Sequence, residues 1–179
     1  MDNLSQLITK AKEGNKDAFG QIYNLFYKRI FRYCKFNLGN SRANDPQDIC
    51  QETFLRAWKS LSNFSEKKGG SFQAYLFRIA RNLIIDNSRK KKEVPLLEYQ
   101  EIEDDTDLDE GIDKKNENQK LKAALGKLKE KDRQIIILRY FEEMTTAEVA
   151  KTIGTKEGAI RVRIHRILKN LKEIIERAK

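Results

Sequence analysis

The sequence comprises 179 residues, and its 36 Lys and Arg exceed its 27 Asp and Glu by a formal net charge of +9. No apolar run approaches the roughly 20 residues that cross a bilayer, and no signal-peptide pattern is present, so we expect a cytoplasmic protein with no membrane segment of its own. Two cysteines make no disulfide framework, and one histidine without CxxC or HExxH spacing predicts no metal site and no cofactor. Few glycines and prolines among abundant Lys, Glu, Leu and Ile predict an all-α fold.

Charge divides the chain into three blocks. Residues 1–92 carry 18 basic and 8 acidic side chains, residues 93–118 carry 2 and 11, and residues 119–179 carry 16 and 8. The acidic block repels itself and buries little, which predicts an extended or disordered flexible linker between two small helical domains. Two interpretations of this linker stay open: a solvated spacer, or a segment that imitates a nucleic-acid backbone inside a basic channel.

Apolar periodicity predicts the first two helices of the N-terminal block. Asp2 can cap a short helix that ends at Gly14 and buries Leu4, Leu7, Ile8 and Ala11. A longer helix is predicted over 17–38, with a core stripe of Ala18, Ile22, Leu25, Phe26, Ile30 and Tyr33.

A third helix is predicted to begin at Asp45 and Pro46, an N-cap followed by proline at the first helical position. Its predicted core side carries Cys50, Thr53, Phe54, Ala57 and Leu61. The opposite side carries Asp48, Gln51, Glu52, Leu55 and Lys59. A single exposed leucine such as Leu55 is common, but an apolar residue among carboxylates also suits docking of a basic partner helix.

A fourth helix is predicted over 71–92, with a core stripe of Phe72, Tyr75, Leu76, Ile79 and Leu83. Its other face presents Arg78, Arg81, Asn82, Arg89 and Lys92, a combination that can contact phosphates and base edges. Phe64 lies in the Gly-containing loop before this helix. Such aromatic residues are more often core than platforms for nucleobases, although the adjacent basic helix favours stacking.

The C-terminal block is predicted to contain helices over 116–128 and 132–141, followed by the two helices of a helix-turn-helix. Thr145 and Glu148 match a capping box, Gly154 ends the short helix that they open, and Thr155 is expected to cap the last one. The last helix has a core stripe of Ile160, Ile164, Ile167, Leu171 and Ile174. Its outer face carries Gly158, Arg161, Val162, His165, Arg166, Lys169 and Lys172. This pattern favours a DNA-reading helix, and the alternative is a basic solvated helix in a bundle.

Two pairs of segments resemble one known family. DPQDICQETFLRAW at 45–58, followed by FQAYLFRIARNLIID at 72–86, is similar to sigma region 2. LRYFEEMTTAEVAKTIG at 138–154, followed by GAIRVRIHR at 158–166, is similar to sigma region 4. The chain resembles the extracytoplasmic-function (ECF) sigma factors, which are non-catalytic subunits that direct bacterial RNA polymerase to promoters.

The resemblance implies residue roles and partners. The clamp helices of the polymerase β′ subunit would receive Asp48, Gln51, Glu52, Leu55 and Lys59, and the β flap would be a second contact. The −10 element would be melted and read by Arg56, Phe64, Arg78, Arg81, Asn82 and Arg89. The −35 element would be read by Arg139, Lys156, Gly158, Arg161, Val162, His165, Arg166 and Lys169. An anti-sigma factor is a further implied partner.

Two other classes of function compete with this interpretation. A stand-alone helix-turn-helix regulator would leave the Leu55 face unexplained and would require a dimer with palindromic sites. A small hydrolase using Cys34 or Cys50 lacks a placed base and oxyanion donors in the sequence.

Overall fold

The computed structural model describes residues 3–38, 45–66, 70–91, 121 and 123–177, the side chains of 89–91 excepted. The described residues form helices and no strand, as predicted. The chain divides into two compact units, one within residues 1–100 and one within 101–179. The predicted domain limits at 92 and 118, the acidic linker and the Asp2 cap lie outside the described residues and stay predictions.

In its described residues the first unit has four helices of ten or more residues and a 3₁₀ turn. Helix α1 spans Asn3–Lys12, α2 spans Lys16–Leu38, α3 spans Pro46–Lys59, the 3₁₀ turn spans Leu61–Asn63 and α4 spans Phe72–Lys91. Helix α2 packs on α1, α3 and α4, and α3 also packs on α4. The unit is therefore a small bundle in which each helix presents one face to solvent.

Local chemistry accounts for the helix boundaries of this unit. Gly14 adopts a φ of 91°, a left-handed conformation that favours glycine at the end of a helix. Asn15 Oδ1 then accepts a hydrogen bond of 2.9 Å from the Ala18 N–H at the start of α2. At α3, Asp45 Oδ1 accepts from the Gln47 N–H at 2.8 Å and Pro46 follows at the first helical position, which confirms the predicted cap.

The core of the first unit is rich in aromatic rings. Tyr33 and Phe77 meet edge to face with centroids 5.2 Å apart, and Phe64 and Phe72 meet in the same way at 5.2 Å. The predicted core placement of Leu25 is wrong, because its side chain is 56% exposed. At 100° per residue Leu25 lies roughly 90° from the middle of the α2 stripe, so it faces solvent beside the core.

The described part of the second unit contains helical residues at 121 and 123–126, within the helix predicted over 116–128, then three further helices and a π-helical segment. Helix α5 spans Glu130–Ile136 and continues as a π-helix over Ile137–Phe141, α6 spans Thr146–Ile153 and α7 spans Glu157–Glu176. The predicted helix over 132–141 thus begins two residues earlier than expected, and its second half is wider than an α-helix. The core contains the predicted Ala124, Leu125, Leu128, Ile135, Ile136, Leu138, Ile160, Ile164, Ile167 and Leu171.

The turn between α6 and α7 sets the geometry of the helix-turn-helix. The capping box is confirmed: Thr145 Oγ1 accepts from the Glu148 N–H, and Glu148 Oε2 accepts from the Thr145 N–H. Gly154 takes a φ of 80°, and the Thr155 N–H donates to the Ala150 carbonyl at 2.9 Å. Thr155 thereby closes α6, and the predicted Thr155 cap of α7 is wrong, since Lys156 occupies the N-cap position.

An ion pair joins the first turn of α5 to α7. Arg163 Nε donates to Asp132 Oδ1 at 2.6 Å, and the Asp132 side chain is 21% exposed. The sequence analysis assigned no role to Arg163. Because a long helix can rotate on a smooth apolar surface, this directional contact helps to fix which face of α7 points outward.

Glu143 provides a test of backbone strain in this unit, because it is a non-glycine residue with a φ of 53°. We expect Glu143→Gly to raise the free energy of unfolding by about 0.5–1 kcal/mol, since glycine adopts this conformation without a steric penalty. Urea unfolding followed by circular dichroism measures the change. The matched variant Gly154→Ala should lower stability by a similar amount, although its Cβ meets no atom within 4 Å. A loss of stability in Glu143→Gly would contradict the strain argument.

Candidate nucleic-acid and partner interfaces

The outer face of α3 is exposed as predicted. Asp48, Gln51, Leu55 and Lys59 are exposed and Glu52 is half-buried, while Cys50, Thr53, Phe54 and Ala57 on the other side are buried. Leu55 is 46% exposed, so an apolar side chain stands in an otherwise polar face. The face has the composition of a docking surface, with one apolar anchor and a polar surround.

Glu52 and Arg56 of α3 form an ion pair on this surface. Arg56 Nε donates to Glu52 Oε1 at 2.6 Å, one helical turn apart. Glu52 is predicted to take part in polymerase docking, and Arg56 is predicted to read the −10 element. The structure therefore brings together two residues that were predicted to serve different partners.

The outer face of α4 carries the predicted polar residues, with unequal accessibility. Asn82 is exposed, whereas Arg78 and Arg81 are half-buried. The Nε of Arg78 is shielded from solvent and has no hydrogen-bond partner in the described part of the chain. Asn82 is thus the most accessible base-edge donor of this group, and the Arg89 side chain lies outside the described residues.

The side chain of Phe64 packs in the core of the first unit. Its side chain is only 5% exposed, and its ring packs against Phe72 and Tyr75 with centroids 5.2 and 4.9 Å apart. Lys12 of α1 holds the same residue: its Nζ donates to the Phe64 carbonyl at 2.6 Å and lies 5.4 Å from the ring centroid. In this conformation Phe64 is a core residue that supports the loop, and its predicted −10 contact stays a prediction.

The outer face of α7 is exposed along the helix. The exposed residues are Lys156, Gly158, Arg161, Val162, His165, Arg166 and Lys169, as predicted. Val162 is 54% exposed and stands among the basic side chains as an apolar group. A Cβ added at Gly158 would meet no atom within 4 Å, so the protein itself does not require glycine there.

Glu157, in the first turn of α7, links this face to α6. Thr146 Oγ1 and Arg161 Nη2 each donate to Glu157 Oε1 at 2.7 Å. The hydrogen bond from Thr146, followed by that from Arg161, holds the pKa of Glu157 below its ordinary value. Glu157 and Thr146 were not among the predicted site residues, although the Glu–Arg spacing of one turn was a visible signal.

Arg139 lies in the π-helical segment before α6. It is half-buried, and its guanidinium lies 5.4 Å from the ring centroid of Tyr140, which is 48% exposed. The π-helix thus carries an exposed aromatic residue and a cation immediately upstream of the helix-turn-helix.

Comparisons with known proteins agree with this arrangement. The family model for Sigma-70 region 2 matches residues 22–94, and that for Sigma-70, region 4 matches residues 118–171. The chain is 31% identical over 175 residues to the ECF RNA polymerase sigma factor SigW of Bacillus subtilis. The aligned region covers 91% of each chain. The chain belongs to the ECF sigma factors. Sigma factors bind core RNA polymerase and direct promoter-specific transcription initiation, and that is the function of this chain.

Solved structures support the fold of this sigma factor. The structure of CnrH in complex with the cytosolic domain of CnrY is similar at a TM-score of 0.75 and 25% identity, over 99% of this chain and 100% of that one. The sigma factor RpoE of Bartonella quintana, solved with the anti-sigma factor NepR, matches at a TM-score of 0.71 and 24% identity, over 88% of this chain and 96% of that one. The second likeness shows the fold alone.

The described part of the sigma factor offers no cluster of His, Cys, Asp and Glu side chains suited to a metal ion. Among the same residues, none of the helices combines the length and apolarity that crossing a membrane requires. Both cysteines are buried: burial raises the pKa of Cys50 to about 12, and burial together with the neighbouring Cys50 raises the pKa of Cys34 above its ordinary value. These thiols remain protonated near neutral pH, which disfavours a nucleophilic role.

We expect both cysteines of the folded sigma factor to resist a thiol-specific reagent such as DTNB at pH 8, because burial excludes the reagent and raises the thiol pKa. Absorbance of the released thiolate measures the reaction. The same protein in 8 M urea is the control, and both thiols should then react within minutes. Rapid reaction of either cysteine in the native protein would contradict this placement.

Proposed function

We propose that the outer face of α3 docks on the β′ clamp helices of core RNA polymerase, with Leu55 as its apolar anchor. Its exposure beside Asp48, Gln51 and Lys59 supports this role, since a desolvated apolar contact supplies affinity and the polar surround supplies orientation. The β flap is the proposed contact of the second unit.

The proposed −10 interface lies on α4 and the end of α3. Asn82 is the accessible base-edge group, and Arg56, Arg78, Arg81 and Arg89 supply positive charge. Phe64 supports the loop from inside, through its ring contacts and the Lys12 hydrogen bond. This division of roles follows from burial, because a side chain that is 5% exposed has little surface to offer a base.

The proposed −35 interface is the outer face of α7, with Arg139 contacting the DNA backbone. The observation that carries the proposal is the alternation along α7: Ile160, Ile164, Ile167 and Leu171 are buried, while Arg161, Val162, His165, Arg166 and Lys169 between them are exposed. A helix of this kind, preceded by a capped short helix and a glycine turn, can lie in the major groove. Gly158 allows the first turn to approach the bases.

We further propose that an anti-sigma factor holds this protein inactive, as RpoE was solved with the anti-sigma factor NepR. The protein would act in the cytoplasm, where the polymerase is, and would carry no catalytic activity of its own. A stand-alone helix-turn-helix regulator is not supported, because it would leave two features without a role. These are the exposed Leu55 face of α3 and the presence of a second basic unit that differs from the first.

The docking proposal predicts that Leu55→Glu weakens binding to core polymerase by about 2–4 kcal/mol, since it removes the apolar anchor and places a charge in the interface. The fold should persist, because Leu55 lies outside the core. Titration of labelled protein with core polymerase measures the affinity, and circular dichroism checks folding.

Leu25 offers a matched control for this experiment. It is 56% exposed on α2, and it has no proposed role in docking. Leu25→Glu should therefore leave polymerase affinity unchanged. Equal affinities for wild type, Leu55→Glu and Leu25→Glu would refute the α3 face as the docking surface.

The DNA-reading proposal predicts that Arg161→Ala, His165→Ala and Arg166→Ala each impair −35 recognition, at a cost of about 1–3 kcal/mol where a side chain contacts a guanine. Asn82→Ala should instead impair the −10 step. Transcription by the reconstituted holoenzyme on promoters mutated in one element at a time measures both effects. Lys172→Ala, on the same side of α7 but outside the proposed contacts, is the control. A uniform loss across all DNA sequences would mean that the contacts are made to phosphates only.

A further inference from the structure

The carboxylate of Glu157 stands between the supporting helix α6 and a proposed base-reading side chain of α7. A single oxygen, Oε1, accepts from Thr146 Oγ1 and from Arg161 Nη2, both at 2.7 Å. An exposed Glu–Arg pair one turn apart is ordinarily a weak and mobile contact. The hydrogen bond from α6 distinguishes this pair, because it ties the carboxylate to a second helix.

Lys172 and Glu176 show the contrast on the same helix. They are also one turn apart, but their charged atoms are 3.8 Å apart and both side chains are more than half exposed. Glu157 is 39% exposed and carries the additional hydrogen bond from Thr146. The first turn of a helix also favours an anionic side chain, which helps to hold this carboxylate in place.

The geometry of the pair leaves Arg161 able to bind a base. A guanidinium has five N–H donors, and guanine presents two acceptors, O6 and N7, in the major groove. One contact through Nη2 to Glu157 therefore restricts rotation of the guanidinium while other N–H groups stay available. A side chain held in this way loses less conformational entropy when it binds a base.

The same carboxylate disfavours contact of Arg161 with the phosphates of DNA. Non-specific DNA binding depends mainly on cations that contact phosphates. Arg161 would have to leave Glu157, or bring the carboxylate close to the phosphate, to make such a contact. A guanine edge carries no net charge, so it is penalised less by the neighbouring carboxylate.

We propose that Glu157, anchored by Thr146, is a positioning residue that determines the base selectivity of Arg161 in the −35 interface. This inference rests on the proposed function, in which Arg161 reads a base of the −35 element. Glu157 itself contacts Arg161 rather than the DNA.

The test uses full-length protein reconstituted with core polymerase and a promoter library randomised over the −35 element. Sequencing of the bound fraction gives the preference at each base position, and Arg161→Ala identifies the position that Arg161 reads. At that position Glu157→Ala and Thr146→Val should each lower the preference for the favoured base over the other three by about three- to tenfold. This is a part of the discrimination that a bidentate arginine–guanine contact supplies. Preferences at the other positions should stay as in wild type.

Two further variants separate positioning from charge. Glu157→Gln keeps an oxygen that can accept both hydrogen bonds, so it should restore most of the base preference while raising affinity for random DNA. Glu176→Gln removes one negative charge from the Lys172 pair on the same helix, and it should change affinity equally for every sequence. Thermal unfolding of all variants reports any loss of folded protein.

The outcomes distinguish the two levels of the proposal. If Arg161→Ala changes no base preference, the base-reading role of Arg161 is wrong, and the inference falls with it. If Arg161→Ala abolishes one preference while Glu157→Ala and Thr146→Val keep it, Arg161 reads the base unaided and only the inference is overturned. A uniform loss at all positions in Glu157→Ala, with a lower unfolding temperature, would mean that Glu157 only stabilises the fold.

Discussion

The buried stripe of α7 constrains what the second unit can present to DNA. Ile160, Ile164, Ile167 and Leu171 are all in the core, and each fully buried aliphatic side chain contributes about 1.5–3 kcal/mol. Turning the helix to expose different residues would place these side chains in water and charged ones in the core. The outer face is therefore determined by packing, before any contact with DNA forms. The Arg163–Asp132 ion pair adds a directional contact to this constraint.

Each proposed DNA interface contains an arginine that is paired with a glutamate of its own helix. Arg56 and Arg161 each bind a glutamate one turn earlier, at 2.6 and 2.7 Å. The Arg161 pair is tied to a second helix through Thr146, while Glu52 lies on the proposed polymerase-docking face. In the first unit, a partner that binds Glu52 also changes the surroundings of Arg56. Docking on the proposed face would therefore alter the charge next to Arg56, an effect that is modest because both side chains of the pair are partly exposed.

Local rules predicted most of the fold. The Asp45 cap, the Thr145–Glu148 capping box and the Gly14 and Gly154 turns depend on residues within a few positions of one another, so their chemistry can be read along the chain. Leu25 was misplaced because it lies at the edge of the α2 stripe, where burial depends on whether a neighbouring helix covers it. The Thr146–Glu157 contact joins two helices across a turn, and the Lys12–Phe64 contact joins residues 52 positions apart. Both required the tertiary structure.

The π-helical segment departs from the regular helix that was predicted over 132–141. The Glu142 N–H donates to the Ile137 carbonyl, and the Met144 N–H donates to the Leu138 carbonyl, at 3.0 and 3.1 Å. These bonds span five and six residues instead of four, so the side chains after Ile137 depart from the α-helical phase. The left-handed Glu143 then turns the chain into α6. The predicted core position of Leu138 nevertheless holds, and Arg139 lies half-buried next to it, upstream of the helix-turn-helix.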